Sequence, residues 1–170
     1  MPNDILESVK DFNTITIFRH VFADMDAIGS QFGLKYYLES AYPNKKIYCL
    51  GNDCPVSQRN NVYMDVVDDE VVASSLAIVL DTSNAARIDD DRYQLAKKSI
   101  RIDHHVQVEI ICDEEWIDDK ASATCELLAL YLQEKKANIP LQSSLMLYLG
   151  LTADNIRFTT NNVRPKLKLF

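Results

Sequence analysis

Imidazole and carboxylate groups are concentrated at a few points of this chain. His20, His104 and His105 are its three histidines, and each sits among aspartates at the end of an apolar run. One group reads His20-Val-Phe-Ala-Asp24-Met-Asp26, the other Arg101-Ile-Asp103-His104-His105-Val106. Imidazole and carboxylate together are a ligand set for divalent transition metals, so the pattern predicts a metal site, and a metal site suggests hydrolysis. Asp81-Thr-Ser follows an apolar run directly and places a carboxylate where it could bridge two ions. Asp154 closes an apolar helical stretch, where a negative charge opposes the helix dipole unless a cation sits nearby. Simpler roles stay open at this point: Asp26 and Asp81 could cap a helix or a turn, and Asp103-His104-His105 could form a polar turn.

The elements that must position these groups alternate in type. Residues 14–18, 46–50, 76–80 and 99–102 read as strands, and 76–80 is apolar throughout, as expected for a strand buried on both faces. Residues 108–111 and 115–117 read as short extended pieces. Residues 26–42 carry apolar groups at helical spacing, as do 122–136 and 141–153, the last opened by Pro140. Residues 65–70, acidic groups interleaved with valines, read as a solvated loop or a helix start. Strand–helix alternation with buried strands predicts an α/β fold, doubly wound, with a mostly parallel sheet and helices on both faces. Ligands in such folds gather beyond the carboxyl ends of the strands, and His20, Asp81 and Asp103 all fall there.

With 170 residues, 47% of them hydrophobic, the chain is long enough for one domain with a sizeable core. A formal charge of −7 argues against binding long nucleic acid, which calls for a basic face. Bound divalent cations would nevertheless make an acidic pocket attractive to phosphate. No apolar run is long enough to span a membrane, and the start of the chain lacks a secretory pattern. Cys49, Cys54, Cys112 and Cys125 form no Cys-x-x-Cys pair, so reduced thiols and a cytoplasmic location are expected.

Taken together, the motifs resemble those of the DHH family of phosphoesterases. His20 to Ser30 is similar to that family's His-x3-Asp-x-Asp-Ala-x-Gly-Ser motif. Leu80-Asp81-Thr-Ser-Asn84 is similar to its second motif, Asp103-His104-His105 to its signature, and Gly150-Leu-Thr-Ala-Asp154 to its last. The subgroup it resembles acts on nano-RNA and on 3′-phosphoadenosine 5′-phosphate. The resemblance implies two divalent ions, usually manganese. His20, Asp24 and Asp81 would hold one, and Asp26, Asp81, His104 and Asp154 the other. It also implies that His105 contacts the substrate phosphate with support from Asp103. Arg87 and Arg157 are candidates for bidentate phosphate contacts.

Expected substrates are therefore short oligonucleotides or small nucleotide phosphates, including cyclic dinucleotides. The alternatives are an inorganic pyrophosphatase-like lobe and a non-catalytic metal- or nucleotide-binding module. Family members continue Asp154 with Thr-Gly, whereas Asn155-Ile156 follows here, and they normally carry an accessory C-terminal domain. Residues 1–163 are accordingly expected to form the catalytic domain and 164–170 a linker or the start of that accessory domain. Surface left for it could favour a homodimer.

Overall fold

The computed structural model describes residues 4–154, with side chains through 153. Five strands form one sheet: β1 (Thr14–Phe18), β2 (Lys46–Cys49), β3 (Leu76–Leu80), β4 (Lys98–Asp103) and β5 (Glu114–Ile117). Their order is β2-β1-β3-β4-β5 and every pairing is parallel. The chain leaves β1 towards one edge and returns across it to β3, so the order reverses between those two strands. Crevices at such a switch point are where open parallel sheets bind ligands.

Period-two alternation in the central strands divides the core. Ile15, Ile17, Leu76, Ile78 and Leu80 belong to the larger apolar cluster, with the long helices, whereas Phe18, Ala77 and Val79 belong to a smaller one. The larger face carries α2 (Met25–Ala41), α5 (Thr124–Glu134) and α6 (Leu141–Asp154), together with α1 (Ile5–Lys10). The smaller face is covered by short pieces, α4 (Asp69–Ala73) and a 3-10 turn at Asp91–Leu95, whereas α3 (Pro55–Arg59) packs Val56 against the larger cluster. Helices thus lie on both faces, but very unequally.

Helix α2 is buried along its whole first half, from Asp26 to Leu34, because it lies between the sheet and α5 and α6. Its approach to α6 depends on missing side chains. A Cβ on Gly29 would come within 2.6 Å of the Met146 carbonyl oxygen, so the backbones meet where only glycine fits. Gln31 then fixes α2 along the sheet: its amide nitrogen donates to the carbonyl oxygens of Ile17 and Leu50, at 2.8 and 3.0 Å.

The strands and long helices fall within one or two residues of their expected bounds. Residues 115–117 prove to be part of a true sheet strand, β5, whereas 108–111 is irregular and pairs with nothing in the sheet. The acidic stretch 65–70 contains the start of α4, with Asp68 in the N-cap position. Helices α1 and α3 went unanticipated, since five or six residues are too few to show periodicity. All four cysteines are free thiols, and no helix among the described residues is long and apolar enough to cross a membrane.

Candidate metal centre and active site

His20 follows β1 by two residues, and the loop from it enters α2. Asp24 caps that helix, its Oδ1 accepting the Ala27 amide at 3.0 Å, while its Oδ2 faces His20 Nε2 at 3.8 Å. Two residues further in, still in the first turn, Asp26 is fully buried and does not cap its own helix. Its carboxylate reaches across to the N-terminus of α5, where Oδ2 accepts the Thr124 amide (2.7 Å) and Oδ1 the Cys125 amide (2.9 Å). Helix α5 has no side-chain cap of its own, Ala123 being at the N-cap position. Asp26 thus satisfies two of its unpaired amides from 98 and 99 residues away.

Asp81 lies just beyond β3, buried, with φ 55°. That left-handed backbone is unusual for a residue with a Cβ and is tolerated best by Asn and Asp after glycine. It turns the carboxylate between both histidine groups: Oδ2 lies 3.4 Å from His20 Nε2 and Oδ1 3.5 Å from His104 Nε2. Thr124 Oγ1 donates to the same Oδ1 at 3.0 Å. His104 Nε2 also stands 3.7 Å from Asp26 Oδ2.

The two imidazoles are oriented alike. His20 Nδ1 bonds the Val21 carbonyl at 2.7 Å and His104 Nδ1 points to the Ala121 carbonyl at 3.4 Å, so each presents Nε2 to carboxylates. A backbone acceptor on one ring nitrogen fixes the tautomer that leaves the other free to ligate. The separations of 3.4–3.8 Å from Nε2 to the carboxylate oxygens are long for hydrogen bonds. They suit neighbouring donors around one cation, where bonds of about 2.0–2.2 Å put ligand atoms roughly 3–3.5 Å apart. Two groups of potential ligands emerge, His20–Asp24–Asp81 and Asp81–His104–His105, sharing Asp81.

Electrostatics point the same way. Burial raises the carboxyls of both Asp26 and Asp81 above their ordinary value, and for Asp26 the charge of Asp81 adds to it. Buried carboxylates crowded together are costly unless a cation accompanies them. For His20, burial favours the neutral ring but is outweighed by Asp81 and the Val21 carbonyl, which raise its pKa.

His105 differs from the other two. Its Nδ1 is 2.7 Å from Asp103 Oδ1, and that hydrogen bond is the main reason its pKa is raised. Burial disfavours an ionised Asp103, yet the bond from His105 and the charge of Arg101 hold its carboxyl below the ordinary value. With Nδ1 engaged, His105 has Nε2 left for another partner, and its side chain is 40% exposed, which suits a substrate contact better than a ligand role. Arg101 is completely buried behind Asp103, with Nη2 3.4 Å from Asp103 Oδ2 and Nη1 3.2 Å from Glu115 Oε2.

Of the expected site residues, the fold brings His20, Asp24, Asp26, Asp81, Asp103, His104 and His105 to one edge of the sheet, on both sides of the β1–β3 switch point. Asp154 is the last residue of α6, and its side chain lies outside the described set, as does all of Arg157. Arg87 is exposed on a 3-10 turn at Ala85–Arg87, whose carbonyl accepts the Val21 amide at 2.7 Å. Its guanidinium makes no ion pair among the described residues. Sequence reasoning missed Thr124 and Arg101. Thr124 reads locally as an ordinary helix-start residue, and Arg101 as the exposed member of an alternating strand.

Paired histidine–carboxylate groups sharing one buried aspartate, beyond the strands of a parallel sheet, define a protein with a candidate two-cation centre. Residues 14–152 match the DHH family, N-terminal domain, and the chain belongs to that family. It is 36% identical over 170 residues to the bifunctional oligoribonuclease and PAP phosphatase NrnA of Bacillus subtilis, covering 98% of this chain and 54% of that protein. To the probable NrnA of Streptococcus mutans it is 37% identical over 154 residues, 91% of this chain and 49% of the other. The chain spans about half the length of these curated relatives. Among solved structures, an exopolyphosphatase-related protein from Bacteroides fragilis superposes with a TM-score of 0.82 at 22% identity. That match covers 97% of this chain and 53% of the other, and it shows the shared fold.

Proposed function

We propose that this chain is the cation-binding lobe of a phosphoesterase that hydrolyses short oligonucleotides or small nucleotide phosphates, with manganese as its ion. The observation that carries the reading is Asp81, whose two oxygens face separate histidine groups while Thr124 holds it from behind. The family and the names of the NrnA relatives support the substrate class. Oxygen donors with some imidazole suit manganese.

His20, Asp24 and Asp81 would hold one ion. Asp26, Asp81, His104 and Asp154 would hold the other. Ions there would supply polarisation of the phosphoryl oxygens and a lowered pKa for attacking water. The protein's own groups do the remaining work. Val21 and Ala121 carbonyls keep the His20 and His104 rings in the ligating tautomer. The α5 amides hold Asp26 in place, so little reorganisation is needed when charge develops. Asp103 keeps a proton on His105 Nδ1 and favours the imidazolium, whose Nε2–H can donate to a phosphoryl or leaving-group oxygen. Exposed Arg87, free of any ion pair among the described residues, is available for a second phosphate contact.

The test is release of mononucleotide from a 5′-labelled RNA dinucleotide, and of phosphate from 3′-phosphoadenosine 5′-phosphate, with and without manganese. Wild type should release product only with the ion, and Asp81→Ala should release none. Equal release from both proteins would reject the shared-aspartate site. Ion binding without turnover of either substrate would favour a binding module.

A further inference from the structure

Beside the cation groups, on the β2 flank of the same sheet edge, lies a cavity of about 600 Å³. Its wall is the loop after β1 (Val21, Phe22, Ala23) and the segment from Asn52 to Val56, closed by Arg59 of α3. Its floor is rigid: buried Arg19 bonds the His20 carbonyl and Asp89, and Asp89 also accepts the backbone amide of Asn52 at 2.6 Å. Volumes of roughly 300–1,000 Å³ with few polar groups are typical of small-molecule sites.

Phe22 is the unusual element. It is 96% exposed, and its φ of 53° puts an aromatic residue in the left-handed region. Neither feature contributes to folding: the ring covers no core, and the backbone conformation is disfavoured for a bulky side chain. It lies two residues from His20 and two from Asp24, so its Cα is at most about 7 Å from either. Arg59 uses only its Nε internally, on the Pro55 carbonyl at 3.1 Å, which leaves a cation at the rim.

We propose that Phe22 and this cavity receive the base of the nucleotide adjoining the scissile phosphate. The ring stacks on the base, and Arg59 meets a phosphate or the base edge. Aromatic stacking is sequence-tolerant because every base has a π-face, so the subsite would select nucleotides as a class over base-free phosphate esters. The inference rests on the phosphoesterase reading above and specifies how its substrate is chosen.

The experiment compares equilibrium binding and KM for an adenine dinucleotide and its abasic counterpart, using the full chain with manganese. Wild type should prefer the base-bearing form by about 5- to 150-fold, the range set by stacking one base. Phe22→Ala should collapse that ratio towards one and Phe22→Trp should keep it. Val66→Ser, at an exposed valine that does not line the cavity, should leave it unchanged. Phe22→Asn should lose the preference while raising Tm by a few degrees, because asparagine tolerates the left-handed conformation. A retained preference in Phe22→Ala, or no preference in wild type that hydrolyses both substrates, overturns the subsite alone. If wild type neither binds nor cleaves either dinucleotide, the phosphoesterase reading falls and the subsite falls with it.

Discussion

Replacing Asp81 with asparagine should make the metal-free protein more stable while destroying its ability to gain stability from cations. Burial raises the Asp81 and Asp26 carboxyls, and Asp81 and its neighbours raise the His20 ring. Groups whose folded pKa is raised bind more protons folded than unfolded, so metal-free stability is fully present at acid pH. It falls as pH rises from the ordinary carboxylate range through the raised values. Ionising these carboxyls in the folded, metal-free protein is therefore costly, because burial disfavours their charged forms. Asparagine removes one charge, suits the φ of 55°, and keeps an oxygen for the Thr124 hydroxyl. Relief of a buried, uncompensated charge is worth on the order of 1–3 kcal/mol, or about 2–4 °C in Tm for each kcal/mol in a chain of this size. Alanine removes the same charge but leaves Thr124 Oγ1 without its acceptor and suits the left-handed backbone poorly, so Asp81→Ala should gain less. Thermal denaturation at pH 7.5 in chelator, then in excess manganese, measures both halves. At 100 times Kd a bound ion should stabilise wild type by about 2.7 kcal/mol, and Asp81→Asn should show little or no such shift. A variant less stable than wild type in chelator, or one with the full cation-dependent shift, would refute the account of Asp81 as a shared ligand held under electrostatic strain.

Other perturbations separate positioning from folding. Thr124→Val should weaken cation binding about 5- to 15-fold by removing the bond to Asp81, with Thr124→Ser restoring it by calorimetric titration. Asp103→Asn should lower the His105 pKa, seen as an NMR titration shifted to lower pH. Arg101→Met would strand Asp103 and Glu115 without their buried cation, costing about 3–5 kcal/mol in denaturant unfolding. Gly29→Ala would push a methyl against the Met146 carbonyl and cost about 1–3 kcal/mol, with cation affinity falling because α2 carries Asp24 and Asp26.

The parts legible in the sequence were those with a local cause. Continuous burial of Leu76–Leu80 and alternation elsewhere reveal the strands because side-chain direction reverses at every residue. Helical spacing reveals α2, α5 and α6 for the corresponding reason. Compositional rarity singles out His20, His104, His105 and their aspartates, since buried imidazoles and carboxylates need partners wherever the chain takes them.

Tertiary structure decided which partners they find. Asp26 holding the N-terminus of a helix 98 residues later, Thr124 bracing Asp81, and Arg101 buried against Glu115 of the neighbouring strand leave no local pattern. Each arises because distant segments were brought to one end of a sheet whose order, β2-β1-β3-β4-β5, is itself non-local. Residue type set the chemistry available to this chain. Sheet order and the crossing of α2 with α5 and α6 determined which groups face one another, because spacing along a chain says little about distance through a folded core.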